Sequence, residues 1–125
     1  MVIGAGGVRG LAVQLLRELT DAAIEVVEIN GARLAQAIEA DPRRVREWTA
    51  ASAAADVVLD FVGSASSLDL AARAVRSGGT VVVVGSEHGP QGMVVALGPE
   101  VTVVHSIWGS LPKLIELVAL ARAGR

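Results

Sequence analysis

The first nineteen residues, MVIGAGGVRGLAVQLLREL, leave the chain few choices. Val2 and Ile3 are β-branched and read as the end of a buried parallel strand. Gly4, Gly6 and Gly7 break that run at once. From there the apolar residues fall at Val8, Leu11, Ala12, Leu15, Leu16 and Leu19, the spacing of one helical face. A strand, a glycine turn and a helix start, in that order, make an arrangement suited to phosphate. The turn lets backbone approach a pyrophosphate, and the free N–H groups and dipole of the helix favour negative charge. A loose G-x-G-x-x-G is weak by itself, but here it sits in the strand-to-helix context it requires. The place of the third glycine is taken by Arg9.

Downstream, the pattern alternates. Ala22 to Ile29 (AAIEVVEI) reads as a second strand carrying Glu28, which lies 22 residues after Gly6. An acidic residue about 20 positions beyond such a turn is placed to bond ribose hydroxyls; a solvated carboxylate at a strand end is the plainer alternative. Asn30-Gly31 turns into a helix from about Ala32 to Ala40. Asp41-Pro42 then opens another, with Val45, Trp48, Thr49 and Ser52 on one stripe. Ala55 to Val62 is a buried strand closed by Gly63. Ser66 and Ser67 offer caps for a helix with Leu68, Ala71, Ala72 and Val75, ended by Ser77-Gly78-Gly79. Thr80 to Val84 is an almost pure valine strand, and Val101 to Ile107 is the last. Ser110 caps a final helix through about Ala121, with Leu111, Leu114, Ile115 and Val118 expected to face inward.

Composition narrows the function classes. The 125 residues fit one domain, 1–125, of α/β class with a mostly parallel sheet covered on both faces, as a 52% hydrophobic content allows. A net charge of −2 with 2% aromatic residues gives neither a basic face nor a stacking platform for nucleic acid. Without cysteine there is no disulfide, thiolate metal site or thiol nucleophile. No apolar run reaches the roughly 18 residues of a membrane span, so a soluble, cytoplasmic protein is expected. His88 and His105, the two histidines, show no metal-ligand spacing. His88 falls in a polar loop, and His105, within a strand, is expected to pack or to face a partner. Asp56 and Asp60 flank a buried strand with no evident acid–base partner, and neither a Gly-x-Ser-x-Gly elbow nor a P-loop is present.

Four segments, VIGAGGVRGLAVQLL, ADVVLDFVGS, RSGGTVVVVG and VTVVHSIWGS, resemble in their order the cofactor-binding domain of the medium-chain, zinc-type alcohol dehydrogenases. The resemblance implies a doubly wound, Rossmann-like sheet of five strands in the order 2-1-4-5-6 of that family, binding NAD(H) across the carboxyl ends of the strands. It implies that Gly4, Gly6, Gly7 and Val8 surround the pyrophosphate and that Glu28 holds the adenosine ribose. Phe61 and Val62 would flank the adenine side, Val84, Ser106 and Trp108 would lie by the nicotinamide, and Asp60, on the same strand face as Val58, would have a structural role near the cofactor groove. It further implies a homodimer through the Val101–Ile107 edge strand, which an uncovered parallel edge favours in any case.

The sequence departs from that pattern in four places. The family's amino-terminal domain, with its catalytic zinc and substrate pocket, has no counterpart here. The first strand is short, and the family's third strand has no room before the Asp-Pro junction. Arg9 stands where glycine allows close packing of helix on strand, and overpacking there costs about 1–3 kcal/mol. Its guanidinium also suits pairing with phosphate, so relaxed selection and a phosphate contact both account for it. A 2′-phosphate would be repelled by Glu28. Two functions follow: an NAD(H)-binding part of an oxidoreductase whose hydride-transfer groups lie elsewhere, or a degenerate, non-catalytic module for dimerisation or protein interaction. A cofactor-independent enzyme has no residue constellation to support it.

Overall fold

The computed structural model describes residues 1–4, 7–28, 54–85, 97–106 and 109–124, with Ala32 and Ala35, leaving out the side chains of residues 7–10. Its elements in chain order are β1 (Val2–Ile3), α1 (Gly7–Leu19), β2 (Val26–Val27), β3 (Ala55–Asp60), α2 (Ala65–Ala74), β4 (Val75–Val83), β5 (Thr102–His105) and α3 (Leu111–Arg122). The five strands form one sheet in the order β2-β1-β3-β4-β5, parallel at every junction. This is the expected Rossmann-like order. The expected helix from Ala32 and the Asp41-Pro42 helix fall outside the described residues, apart from Ala32 and Ala35, which are helical.

Alternation along the strands divides the core between the two faces of the sheet. On one face, Val2 and Val26 pack with Ile24 against Val13 and Leu16 of α1, joined by Leu59 and Phe61. On the other, Ile3, Val27, Val58, Val81 and Val83 pack with Leu70, Ala71 and Ala74 of α2. Asp60 shares that second face, as its spacing from Val58 requires, and is completely buried.

Several expected boundaries move. The second strand is confined to Val26–Val27, and β3 stops at Asp60 because Phe61–Gly63 turns. Ser64, not Ser66 or Ser67, is the N-cap of α2, in a capping box with Ser67. That helix ends at Ala74, and Val75 and Arg76 join β4 through Ser77-Gly78-Gly79 instead of stopping before it. The β-branched Val75 is extended (φ −74°, ψ 136°), and Gly78 bends the strand at φ +72° where the β3–β4 register shifts. The bend is held by Gly78 N–H donating to Pro99 O at 3.2 Å and by Arg76 Nε to Asp56 Oδ1 at 2.6 Å.

The helices differ most from expectation in which face they bury. In α1 the packed stripe is Val13 and Leu16, leaving Leu11 and Leu19 exposed. α3 has no buried residue: Leu111, Leu114, Ile115 and Val118 are 69%, 54%, 61% and 42% exposed, not inward. Helical periodicity identifies an apolar stripe but not its partner. A groove of about 670 Å³ between α1 and α3 is lined by Leu15, Leu19, Leu111, Leu114, Leu117 and Leu120.

Candidate functional site at the carboxyl edge of the sheet

Because β2 lies on one side of β1 and β3 on the other, the strand order reverses between β1 and β3. Crevices outside the carboxyl ends of parallel strands at such a reversal are where ligands bind in open α/β sheets. Each strand end continues the ladder into the crevice. Gly4 N–H donates to Val27 O at 2.9 Å, Phe61 N–H to Ile3 O at 3.0 Å, Val84 N–H to Asp60 O at 2.8 Å and Ser106 N–H to Val83 O at 2.9 Å. Gly4, Glu28, Phe61, Val62, Val84 and Ser106 thus lie at the same edge.

Two glycines shape this edge by what cannot be added to them. Gly4 sits at φ +101°, and a Cβ there would lie 2.8 Å from Val62 Cγ2. Left-handed backbone and lack of space both demand glycine at that turn. Helix α1 begins three residues on, at Gly7, so its first-turn N–H groups, which have no intrahelical partner, open on the same edge. On the far side, a Cβ on Gly85 would lie 2.4 Å from Val62 C and 2.5 Å from Phe61 C and O. The Phe61–Val62 peptide is therefore gripped between the ends of β1 and β4.

Under that peptide lies Asp60. Its Oδ1 accepts from Val62 N–H at 2.8 Å and Gly63 N–H at 3.1 Å, and its Oδ2 accepts from Ser67 Oγ at 2.8 Å. Ser67 Oγ in turn accepts from Ser64 N–H at 3.0 Å, tying the start of α2 to the same carboxylate. A buried carboxylate is costly unless its oxygens are met by donors, and these three donors meet both.

Of the residues singled out in the sequence, Glu28 follows β2 and is half-buried, with its Oε2 shielded from solvent. Phe61 and Val62 are also half-buried but lean to opposite faces, Phe61 with the α1 cluster and Val62 with the α2 cluster. Val84 is half-buried and Ser106 exposed. The backbone of Gly7, Val8 and Arg9 is the first turn of α1. Gly6, His88, Trp108 and the side chains of Val8 and Arg9 lie outside the described residues. His105 is exposed on β5, not packed into the sheet. Asp56 is exposed and paired with Arg76, whose hydrogen bond and charge hold its carboxyl below the ordinary range. The structural role near the groove that the resemblance implies for Asp60 agrees with its burial on the Val58 face; its Ser67 partner and the grip of Gly85 were not anticipated from the sequence. A lone acid inside an apolar strand, followed by serines three apart, was the signal available.

The parallel five-stranded sheet with its crevice at the β1–β3 reversal defines a Rossmann-like α/β fold. Residues 7–122 match the family described as zinc-binding dehydrogenase, and the chain belongs to that family. Among solved structures it is similar to acetophenone reductase from Geotrichum candidum NBRC 4597 in complex with NAD (27% identity, TM-score 0.79, covering 98% of this chain and 37% of that one). It is likewise similar in fold to D-arabinose dehydrogenase from Sulfolobus solfataricus (21% identity, TM-score 0.79, 98% of this chain and 42% of that one). A third is the alcohol dehydrogenase from Aeropyrum pernix (23% identity, TM-score 0.74, 98% and 40%). The chain thus spans 37–42% of the length of these structures. No curated protein matches it. For the zinc in the family's name, no group of three His, Cys, Asp or Glu side chains converges among the described residues. Nor, among them, is any helix long and apolar enough to cross a membrane.

Proposed function

We propose that this chain is the NAD(H)-binding part of an alcohol dehydrogenase-like oxidoreductase, folding as one unit over residues 1–125. The observation that carries this reading is Gly4 at φ +101° against Val62, with α1 starting at Gly7 on the same edge. Backbone approaches a ligand closely at such a turn, and the helix start favours pyrophosphate. Gly4, Gly6, Gly7 and Val8 would surround the pyrophosphate, with Arg9 beside it. Glu28 would bond the ribose hydroxyls and disfavour a 2′-phosphate, which selects NAD over NADP. Phe61 and Val62 would border the adenine, and Val84, Ser106 and Trp108 the nicotinamide. The bound cofactor supplies a hydride acceptor or donor; the groups that act on the substrate come from another domain or chain. The likeness to a reductase in complex with NAD supports the cofactor assignment.

We further infer a cytoplasmic homodimer through the β5 edge. β5 ends the sheet, and Val104 stands 43% exposed on it. An NADH fluorescence titration tests the cofactor reading: saturable binding that Glu28→Ala abolishes supports it, and a flat titration of the folded parent refutes it. The exposed edge and the bare face of α3 would then favour the second reading, a non-catalytic interaction module.

A further inference from the structure

We infer that Asp60 is the positioning residue of the crevice, fixing the Phe61–Gly63 turn so that the ends of β1, β3 and β4 hold the spacing a dinucleotide requires. The inference rests on the dinucleotide-binding reading above. Among the described residues, Asp60 is the one bonded to three separate segments of this edge. Through its side chain it receives Val62 and Gly63 N–H and the Ser67 hydroxyl of α2. Through its carbonyl it receives Val84 N–H at 2.8 Å and Gly85 N–H at 3.0 Å. The turn beneath is not one the chain holds by sterics alone. Gly63 is at φ +71°, and the i+2 and i+3 bonds from the carboxylate form an Asx-type turn.

The tolerances make this positioning matter. Val62 Cγ2 already occupies the space a Cβ on Gly4 would need, and the Phe61–Val62 peptide occupies that of a Cβ on Gly85. The turn therefore has no room to move toward either strand end, and Asp60 is what stops it moving outward into the crevice. The two backbone N–H donors at Oδ1 cannot turn away, whereas the Ser67 hydroxyl at Oδ2 can, so what the turn requires is an acceptor at the Oδ1 position. With its negative charge met by three donors and shielded from solvent, Asp60 shapes the site without presenting that charge to a pyrophosphate.

The test is an NADH titration of the full chain and its variants, each shown to be folded by circular dichroism and a cooperative melt at the assay temperature. Asp60→Ala should weaken NADH binding by about tenfold or more, the equivalent of losing hydrogen bonds to a charged group. Asp60→Asn keeps an acceptor for Val62 and Gly63 N–H, and the Ser67 hydroxyl is free to turn its proton to Ser64 O, so it should recover most of the affinity. A role confined to stability would leave the affinity of a fully folded variant unchanged. Parental affinity in folded Asp60→Ala overturns the inference while leaving the binding reading intact. Equal weakness of folded Asn and Ala variants also overturns it, because the effect would then belong to charge. Absence of binding in the parent overturns both. Should Asp60→Ala not fold, Ser67→Ala carries the test: a measurable loss of affinity supports the inference and an unchanged affinity overturns it.

Discussion

Replacing Gly85 by alanine should reverse the usual sign of a glycine-to-alanine change. Where the backbone tolerates it, such a change stabilises by about 0.4–1 kcal/mol through the unfolded chain, and Gly85 is not at positive φ. The new Cβ, however, would lie 2.4 Å from Val62 C and 2.5 Å from Phe61 C and O. Carbon atoms are at ease roughly 3.5–4.0 Å apart, so one partner must yield by about 1 Å. Those atoms are backbone. They are pinned by Phe61 N–H to Ile3 O at 3.0 Å and by Val62 N–H to Asp60 Oδ1 at 2.8 Å. Overpacking costs about 1–3 kcal/mol, and disturbing the bond to the carboxylate adds roughly 1.5–3 kcal/mol. Against the entropic gain, the net loss should be about 2 kcal/mol or more, a large part of the ~5–15 kcal/mol that holds a domain together. Urea unfolding followed by circular dichroism measures it, and the melting temperature should fall by roughly 6–10 °C. Gly98→Ala is the control, because its Cβ would meet nothing closer than Ser77 Oγ at 3.9 Å and should change stability by no more than about 0.5 kcal/mol. Equal stability of Gly85→Ala and the parent would refute the grip on the Phe61–Val62 peptide.

Gly4→Ala combines a left-handed backbone with a 2.8 Å approach to Val62 Cγ2, so it should lower stability by about 1–3 kcal/mol and weaken NADH binding in the fraction that stays folded. Arg76→Ala should raise the carboxyl pKa of Asp56, read by NMR titration, since the Arg76 hydrogen bond and charge hold it below the ordinary 3.8. A depressed carboxylate contributes stability above its unfolded pKa and loses it as pH falls through the folded one; the gap between parent and Arg76→Ala melts should therefore close below pH 3.8. Val104→Lys on the exposed β5 edge should shift a dimer toward monomer in sedimentation equilibrium, edge lysine being a general block to strand pairing.

Sheet order and the crevice were legible because strong local signals agree with the global fold. Val2-Ile3, the Val57-Val58 pair within ADVVLD and the valines of β4 mark valine- and isoleucine-rich runs too short for helices, and parallel strands joined by helices admit few orders. The boundaries were less legible because competing local rules meet there. Ser64, Ser66 and Ser67 are all acceptable caps, and only the fold shows that Ser67 is committed to Asp60, which leaves Ser64 to cap. Ser77-Gly78-Gly79 reads as a helix stop, yet Gly78 at φ +72° is a bend within β4, set by Arg76 reaching Asp56 across the register shift.

The helices show the same limit in a different form. Leu111, Leu114, Ile115 and Val118 give α3 an apolar stripe, but a stripe states only that burial would be favourable, not that a neighbour is there to supply it. α1 makes the point within a single element: Val13 and Leu16 find the β1–β2 face, while Leu11 and Leu19, equally apolar, stay in water. At the crevice, by contrast, side chains matter less than clearances. Glycine at 4 and 85 is written in the sequence, but the reason for it, a peptide from the middle strand wedged between them, exists only once β3 lies between β1 and β4. Asp60 belongs to the same class. A charge inside ADVVLDFV looks like a defect in a buried strand until the turn it anchors brings Val62, Gly63 and Ser67 to its two oxygens.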